Sequence, residues 1–138
     1  MYVGIDVSKE FCQAAFVNAK GYVIKEQKFE NTDSGIEDLV KATKKSNVVI
    51  ESSSSAMRIY DSLSKTANVK VAHPARVRAI ASARIKTDKI DARILAQLLR
   101  ADLIPESYVP SKEIRDFRFI TRHRKSLVNS RTRIKNQI

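Results

Sequence analysis

Three β-type segments stand in a row at the start of the chain, residues 2–8, 11–18 and 22–29, each rich in Val, Ile, Phe and Tyr, with NAKG as a short turn between the second and third. Connections this short join antiparallel neighbours, because a parallel crossover needs about a dozen residues or more. The period then changes. NTDSGIEDLVKATKK places Ile36, Leu39, Val40 and Thr43 on one helical stripe behind a Thr/Asp/Ser start signal. From residue 47 to 74 an apolar run (NVVIE), a serine-capped helix (SSSSAMRIYDSLSKTA) and a second run (VKVAHP) alternate. That is the pattern of a βαβ unit with parallel strands. An antiparallel meander, a helix and a βαβ unit predict an α/β fold.

Beyond residue 74 the chain reads as helical. ARVRAIASARIK is followed by TDKIDARILAQLLRADL, whose Ile90, Ile94, Leu95, Leu98 and Leu99 form an apolar stripe. The two prolines of IPESYVPS mark a linker, and residues 112–138 run on without a helix breaker. Ile114, Phe117, Ile120, Leu127, Ile134 and Ile138 keep roughly heptad spacing there, but Arg124 and Arg131 interrupt the seam. The pattern stops in mid-helix without a cap, so the chain is expected to be the N-terminal part of a longer protein. The expected division is a folded domain over 1–105 and a linker with a basic helix over 106–138. At 138 residues the chain suits one domain with an appendage. Its single cysteine, Cys12, sits in the apolar stretch FCQAAFV, which excludes an internal disulfide and predicts a core thiol.

The formal net charge of +11 is unevenly placed. Residues 1–72 carry 10 Lys/Arg against 9 Asp/Glu, whereas residues 73–138 carry 16 against 6. A basic second half favours a polyanionic partner, and nucleic acid fits better than a membrane because no basic stretch has a strongly apolar face. The expected phosphate contacts are Arg76, Arg78, Arg84, Lys86 and Lys89, with Arg122, Arg124, Lys125 and Arg131 on the last helix. No apolar run is long enough to span a bilayer and no signal peptide opens the chain, so a cytoplasmic location is expected.

Against this basic background four acids stand out. Asp6 ends one apolar strand run and Glu51 ends another, while Asp88 and Asp91 in KTDKIDA lie three residues apart at a helix start, on one face within one turn. Gathered together they would repel, by about 4 kcal/mol for one pair at about 4 Å and an effective dielectric of about 20. Bound cations make such a cluster tolerable, and hard oxygen ligands in this number suit Mg²⁺ or Mn²⁺. Each acid also has a plain reading. Asp88 suits a helix N-cap with Asp91 at the third helical position, Glu51 a solvated strand end, and Asp6 the turn into VSKE.

VGIDVSKE, VVIES and HPARVRAIASARIKTDKIDARILAQLLRADLIPESYVPS together resemble the N-terminal domain of DEDD-type transposases of bacterial and archaeal insertion sequences, relatives of the pilin-gene inverting recombinase. The resemblance covers roughly residues 2–111. It implies an RNase H-like fold similar to the Holliday-junction resolvase RuvC, with a mixed sheet and an Asp, Glu, Asp, Asp metal site that Asp6, Glu51, Asp88 and Asp91 match in order. It implies metal-dependent cleavage and transfer of DNA strands and a homo-oligomer in the full-length protein. Some members are directed by an element-encoded RNA, which adds a guide RNA to the partners open to the basic helices. The family's second domain, with its nucleophilic serine, is not matched, and SSSSAM stands where a Thr-Gly turn is common.

Two other readings compete. A non-catalytic nucleic-acid-binding module explains the basic half and leaves the four acids without a role. An actin-like ATPase lobe also opens with a strand entering GID, but it needs glycine-rich phosphate turns after later strands, and Gly4, Gly21 and Gly35 all come too early. His73 and His123 lack partners at metal-ligand spacing.

Overall fold

The computed structural model describes residues 1–53, 55–82 and 91–137. The chain forms two compact units, Met1–Ser107 and Tyr108–Ile138.

In the first unit, β1 (Tyr2–Val7), β2 (Phe11–Val17) and β3 (Val23–Glu30) form the expected antiparallel meander, while β4 (Asn47–Glu51) and β5 (Asn68–Ala72) lie parallel to β1. The sheet order is β3-β2-β1-β4-β5, a mixed five-stranded sheet with flanking helices of the RNase H-like kind. The turn between β2 and β3 is held by one side chain, since Asn18 Oδ1 accepts from the backbone nitrogens of both Lys20 and Tyr22 at 3.0 Å. Gly21 closes that turn with φ at +91°, a conformation in which a Cβ is costly.

Side-chain alternation gives the sheet two working faces. Val3, Ile5, Cys12, Ala14, Phe16, Val48 and Ile50 point to one side, where α1 (Asp33–Thr43) and α2 (Ala56–Leu63) cover them with Ile36, Leu39, Ile59 and Leu63. Thr32 caps α1 by accepting from the Gly35 nitrogen at 3.2 Å. Ser55 occupies the N-cap position of α2, but its hydroxyl makes no capping bond; the Ala56 nitrogen donates to the Ser53 carbonyl instead. Cys12 is fully buried in this layer, and burial pushes its thiol up to about 11. Native protein at neutral pH should therefore resist iodoacetamide and be alkylated at Cys12 only on unfolding, a contrast that mass spectrometry reads directly.

On the opposite face Tyr2 and Val49 pack against α3 (Pro74–Ser82) and α4 (Ala92–Arg100) through Val77, Leu95, Leu98 and Leu99. The sequence predicts 106 onward as linker; the structure hydrogen-bonds the last residues of this unit to the sheet edge. The Ser107 nitrogen donates to the Val71 carbonyl at 2.7 Å and the His73 nitrogen to the Pro105 carbonyl at 3.0 Å, so this short segment runs antiparallel along β5. Lys70 of β5 also pairs with Glu106. A strand edge is thereby covered.

The second unit is dominated by α5 (Lys112–Lys135), the long helix that the sequence predicts, and none of its residues is buried. Phe117 and Ile120 are 68% and 65% exposed. No helix among the described residues is long and apolar enough to cross a membrane.

Candidate active site

The site begins with a glycine. On the face of β1 that carries Tyr2, Gly4 and Asp6, α4 lies against the strand so closely that a methyl group at Gly4 would overlap the Ala92 carbonyl oxygen and stand 2.5 Å from the Ala96 nitrogen. The far end of α4 is pinned beside the β2–β3 turn, where Gln97 Nε2 donates to the Gly21 carbonyl at 2.6 Å. Farther along α4 towards its start, Arg93 forms a two-bonded ion pair with Glu26 of β3. These contacts orient α4 antiparallel to β1, with its N-terminus toward the end of the strand that carries Asp6.

Asp6 follows Ile5, and Glu51 follows Ile50; Ile5 and Ile50 are register partners on adjacent parallel strands. One step beyond that pair the two carboxylates stand side by side on the α4 face. Both are half-buried. The Glu51 carboxyl is held above the usual carboxylate range, chiefly because burial disfavours its charge and secondarily because Asp6 is close; the Arg78 guanidinium of α3 partly opposes both. Arg76 and Arg78 are exposed on α3.

Asp91 lies at the same end of the same face, in a different role from the one its spacing predicts. Its backbone is extended (φ −106°, ψ 172°), and its side chain accepts from the Ile94 nitrogen at 3.0 Å, so it is the N-cap of α4. The expectation that Asp88 and Asp91 share one helical turn is therefore corrected: α4 starts at Ala92, after Asp91 has left helical geometry. At the start of α4 the N-cap is Asp91. Asp88 itself lies outside the described residues, as do Arg84, Lys86 and Lys89. Among the described residues no group of three His, Cys, Asp or Glu side chains gathers in metal-holding geometry.

The loops behind the two acids are tied together by residues that no sequence motif marks. Asn31 Nδ2 donates to the Ser8 carbonyl at 2.9 Å in the turn after Asp6, and Arg58 of α2 donates to the Asn31 carbonyl and Oδ1 at 2.9 and 3.0 Å. The segment after Glu51 and the turn after Asp6 thus share one network. In the second unit Arg124 and Arg131 are exposed, while Arg122, Lys125, Ser126, Asn129 and Arg133 line a polar face of α5.

A transposase family model, that of the DEDD transposases of the IS110 type, matches residues 3–138. The chain belongs to this family. A comparison with curated proteins finds no match. A DEDD transposase domain acts on DNA, its activity is of the nuclease and recombinase kind, and divalent-metal dependence is general in the family. The donor set fits that requirement: Asp6 and Glu51 offer hard carboxylate oxygens from adjacent strands, and a cation between them would offset both the burial that chiefly raises Glu51 and the smaller repulsion from Asp6. One Asp91 oxygen is committed to the cap, which leaves the carboxylate's other oxygen for a ligand.

Proposed function

We propose that residues 1–105 form the catalytic domain of a DNA transposase that cleaves and transfers DNA strands with Mg²⁺ or Mn²⁺, and that 106–138 supply a linker and a basic nucleic-acid-binding helix. The observation that carries this reading is the Asp6 and Glu51 pair, one register step past Ile5 and Ile50 on the face against which α4 packs. Asp6 and Glu51 are the two sheet-borne metal ligands, with Asp91 and Asp88 as the ligands brought by the segment that leads into α4. A bound divalent ion supplies charge stabilisation at the phosphorus under attack. The chain's own residues do the positioning. Arg78 and Arg76 hold the phosphate backbone beside Glu51, and Arg84, Lys86, Lys89, Arg122, Arg124, Lys125 and Arg131 hold flanking nucleic acid, whether target DNA or a guide RNA. The full-length protein acts as a homo-oligomer, because two DNA ends must be joined.

Calorimetric melting tests the shared metal site. Without metal, Asp6→Asn should melt higher than wild type, because one of two neighbouring like charges is gone. With Mg²⁺ or Mn²⁺ the wild type should gain more than the variant. An identical metal response in the two proteins would rule out a common site.

The raised Glu51 carboxyl has a pH signature of its own. An acid held above its unfolded-state value binds its proton more tightly in the native protein, so its contribution to stability is fully present below pH 4.5 and is lost as pH rises through the native value. Metal-free wild type should lose that increment as pH rises above 4.5, and Glu51→Gln should not. Thermal melts over a pH series compare the two curves.

A further inference from the structure

The row of residues that contains Asp6 and Glu51 continues across the sheet in the other direction. Asp6 is the register partner of Gln13 on β2, and Gln13 is the partner of Lys28 on β3, all on the α4 face. The row therefore runs Lys28, Gln13, Asp6, Glu51, with Arg78 acting electrostatically on Glu51 from the far side. Directly below it, Ala15, Gly4 and Val49 lie level with one another. There α4 packs on Gly4, so the polar row opens just beyond the start of that helix.

Lys28 is a placed cation. Its ammonium stands 3.4 Å from the centroid of the Phe11 ring, and it forms no ion pair among the described residues. The ring face attracts the ammonium and restricts the search of a long side chain. Glu26, one step below on the same face, is occupied by Arg93, while Glu30 lies one step above, level with Phe11. Two strand spacings, roughly 10 Å, separate the backbones of Lys28 and Asp6. A phosphodiester chain laid over the carboxylates has another phosphate within reach of that ammonium.

We infer that Lys28 and Gln13 form a substrate track on the sheet, where Lys28 holds a backbone phosphate of the nucleic-acid strand on the β3 side of the carboxylates and Gln13 lies under the strand between them. This rests on the carboxylate site proposed above. It places a phosphate contact in the first half of the chain, where acids and bases nearly balance, and makes the acid pair the middle of a track with a cation at each end.

The experiment measures binding of a fluorescent, mixed-sequence single-stranded DNA to the full chain as a function of salt, in chelator. Lys28→Met keeps the apolar stem over Phe11 and removes the charge. It should weaken binding about fivefold at about 0.1 M salt and reduce the log-log salt slope by about 0.7, the counterion release of one phosphate contact on a single strand. Lys28→Arg should restore both, and Gln13→Glu, which adds a negative charge beneath the strand, should also weaken binding. Circular dichroism confirms folding, and Lys28→Gln replaces Lys28→Met if the latter unfolds. An unchanged slope in Lys28→Met, an Lys28→Arg variant as weak as Lys28→Met, or Gln13→Glu binding like wild type would each overturn the track. Because these measurements contain no divalent metal, failure of the metal site appears separately, as equal metal responses of wild type and Asp6→Asn.

Discussion

Gly4→Ala should cost about 3 kcal/mol and lower the melting temperature by about 10–20 °C, the largest stability loss expected from adding a single methyl group to this fold. The added carbon would meet backbone, the Ala92 carbonyl oxygen and the Ala96 nitrogen, and would also stand 2.9 Å from Leu95 Cβ. None of these can swing aside as a long side chain would, so α4 itself must lift from β1. That movement would uncover Val49, Leu95 and Leu98, and it would carry Asp91 away from the end of the sheet that holds Asp6 and Glu51. Ala14→Gly, also in the sheet but facing the α1 and α2 layer, removes a methyl without displacing α4 and serves as the contrast. Differential scanning calorimetry of the two variants checks the order. A Gly4→Ala protein that melts with the wild type would mean that α4 does not rest on the strand.

Asp6→Asn and Glu51→Gln should each reduce metal-dependent DNA strand cleavage by about a hundredfold or more, beyond the ten- to hundredfold that loss of an outer-shell partner costs at a metal site. Both substitutions keep shape and remove a charged carboxylate oxygen from the proposed metal site, and Glu51→Gln also removes a carboxyl whose ionisation is disfavoured by burial and by Asp6. The folded protein should therefore remain at least as stable while its chemistry fails, a combination that a merely destabilised variant cannot show. Asn31→Ala provides the comparison: it loosens the turn after Asp6 by removing the bond to the Ser8 carbonyl and should lower stability and cleavage together. Nicking of supercoiled DNA in Mn²⁺, read beside thermal melts, separates these outcomes. Cleavage at wild-type rate by Asp6→Asn would exclude that carboxylate from the chemistry, and wild type that binds DNA without cleaving it in Mn²⁺ would favour a nucleic-acid-binding module.

Local pattern carried most of the element order. Period-two apolar runs with a turn residue such as Asn18 between them have few alternatives to a hairpin, and the Ile36, Leu39 and Thr43 stripe has few alternatives to a helix over a sheet. Asp6 and Glu51 were legible for the same reason, as charges at the ends of strands that are otherwise buried. Asp91 was misplaced by the same kind of reasoning. A three-residue spacing puts two acids on one helical turn only if both are helical, and a carboxylate that bonds the Ile94 nitrogen takes its own backbone out of the helix. The serine run failed similarly, because composition marks a cap position but cannot say whether Ser55 turns its hydroxyl to the backbone.

The sequence by itself determined the strands and helices, their antiparallel and parallel pairings, the buried Cys12 and the charge imbalance between the halves, all of which follow from interactions within a few residues or from simple counting. Only the tertiary structure decided which side chains become neighbours across the sheet. Register joins Lys28 to Gln13 to Asp6. The absence of a Cβ at Gly4 lets α4 settle on β1. Asn31 reaches Ser8, 23 positions away in the chain, and Arg58 reaches Asn31 across 27. The physical reason is that a strand's alternation fixes which face a residue occupies, whereas its partner on that face is set by how distant segments pack, and that information is spread over the whole core.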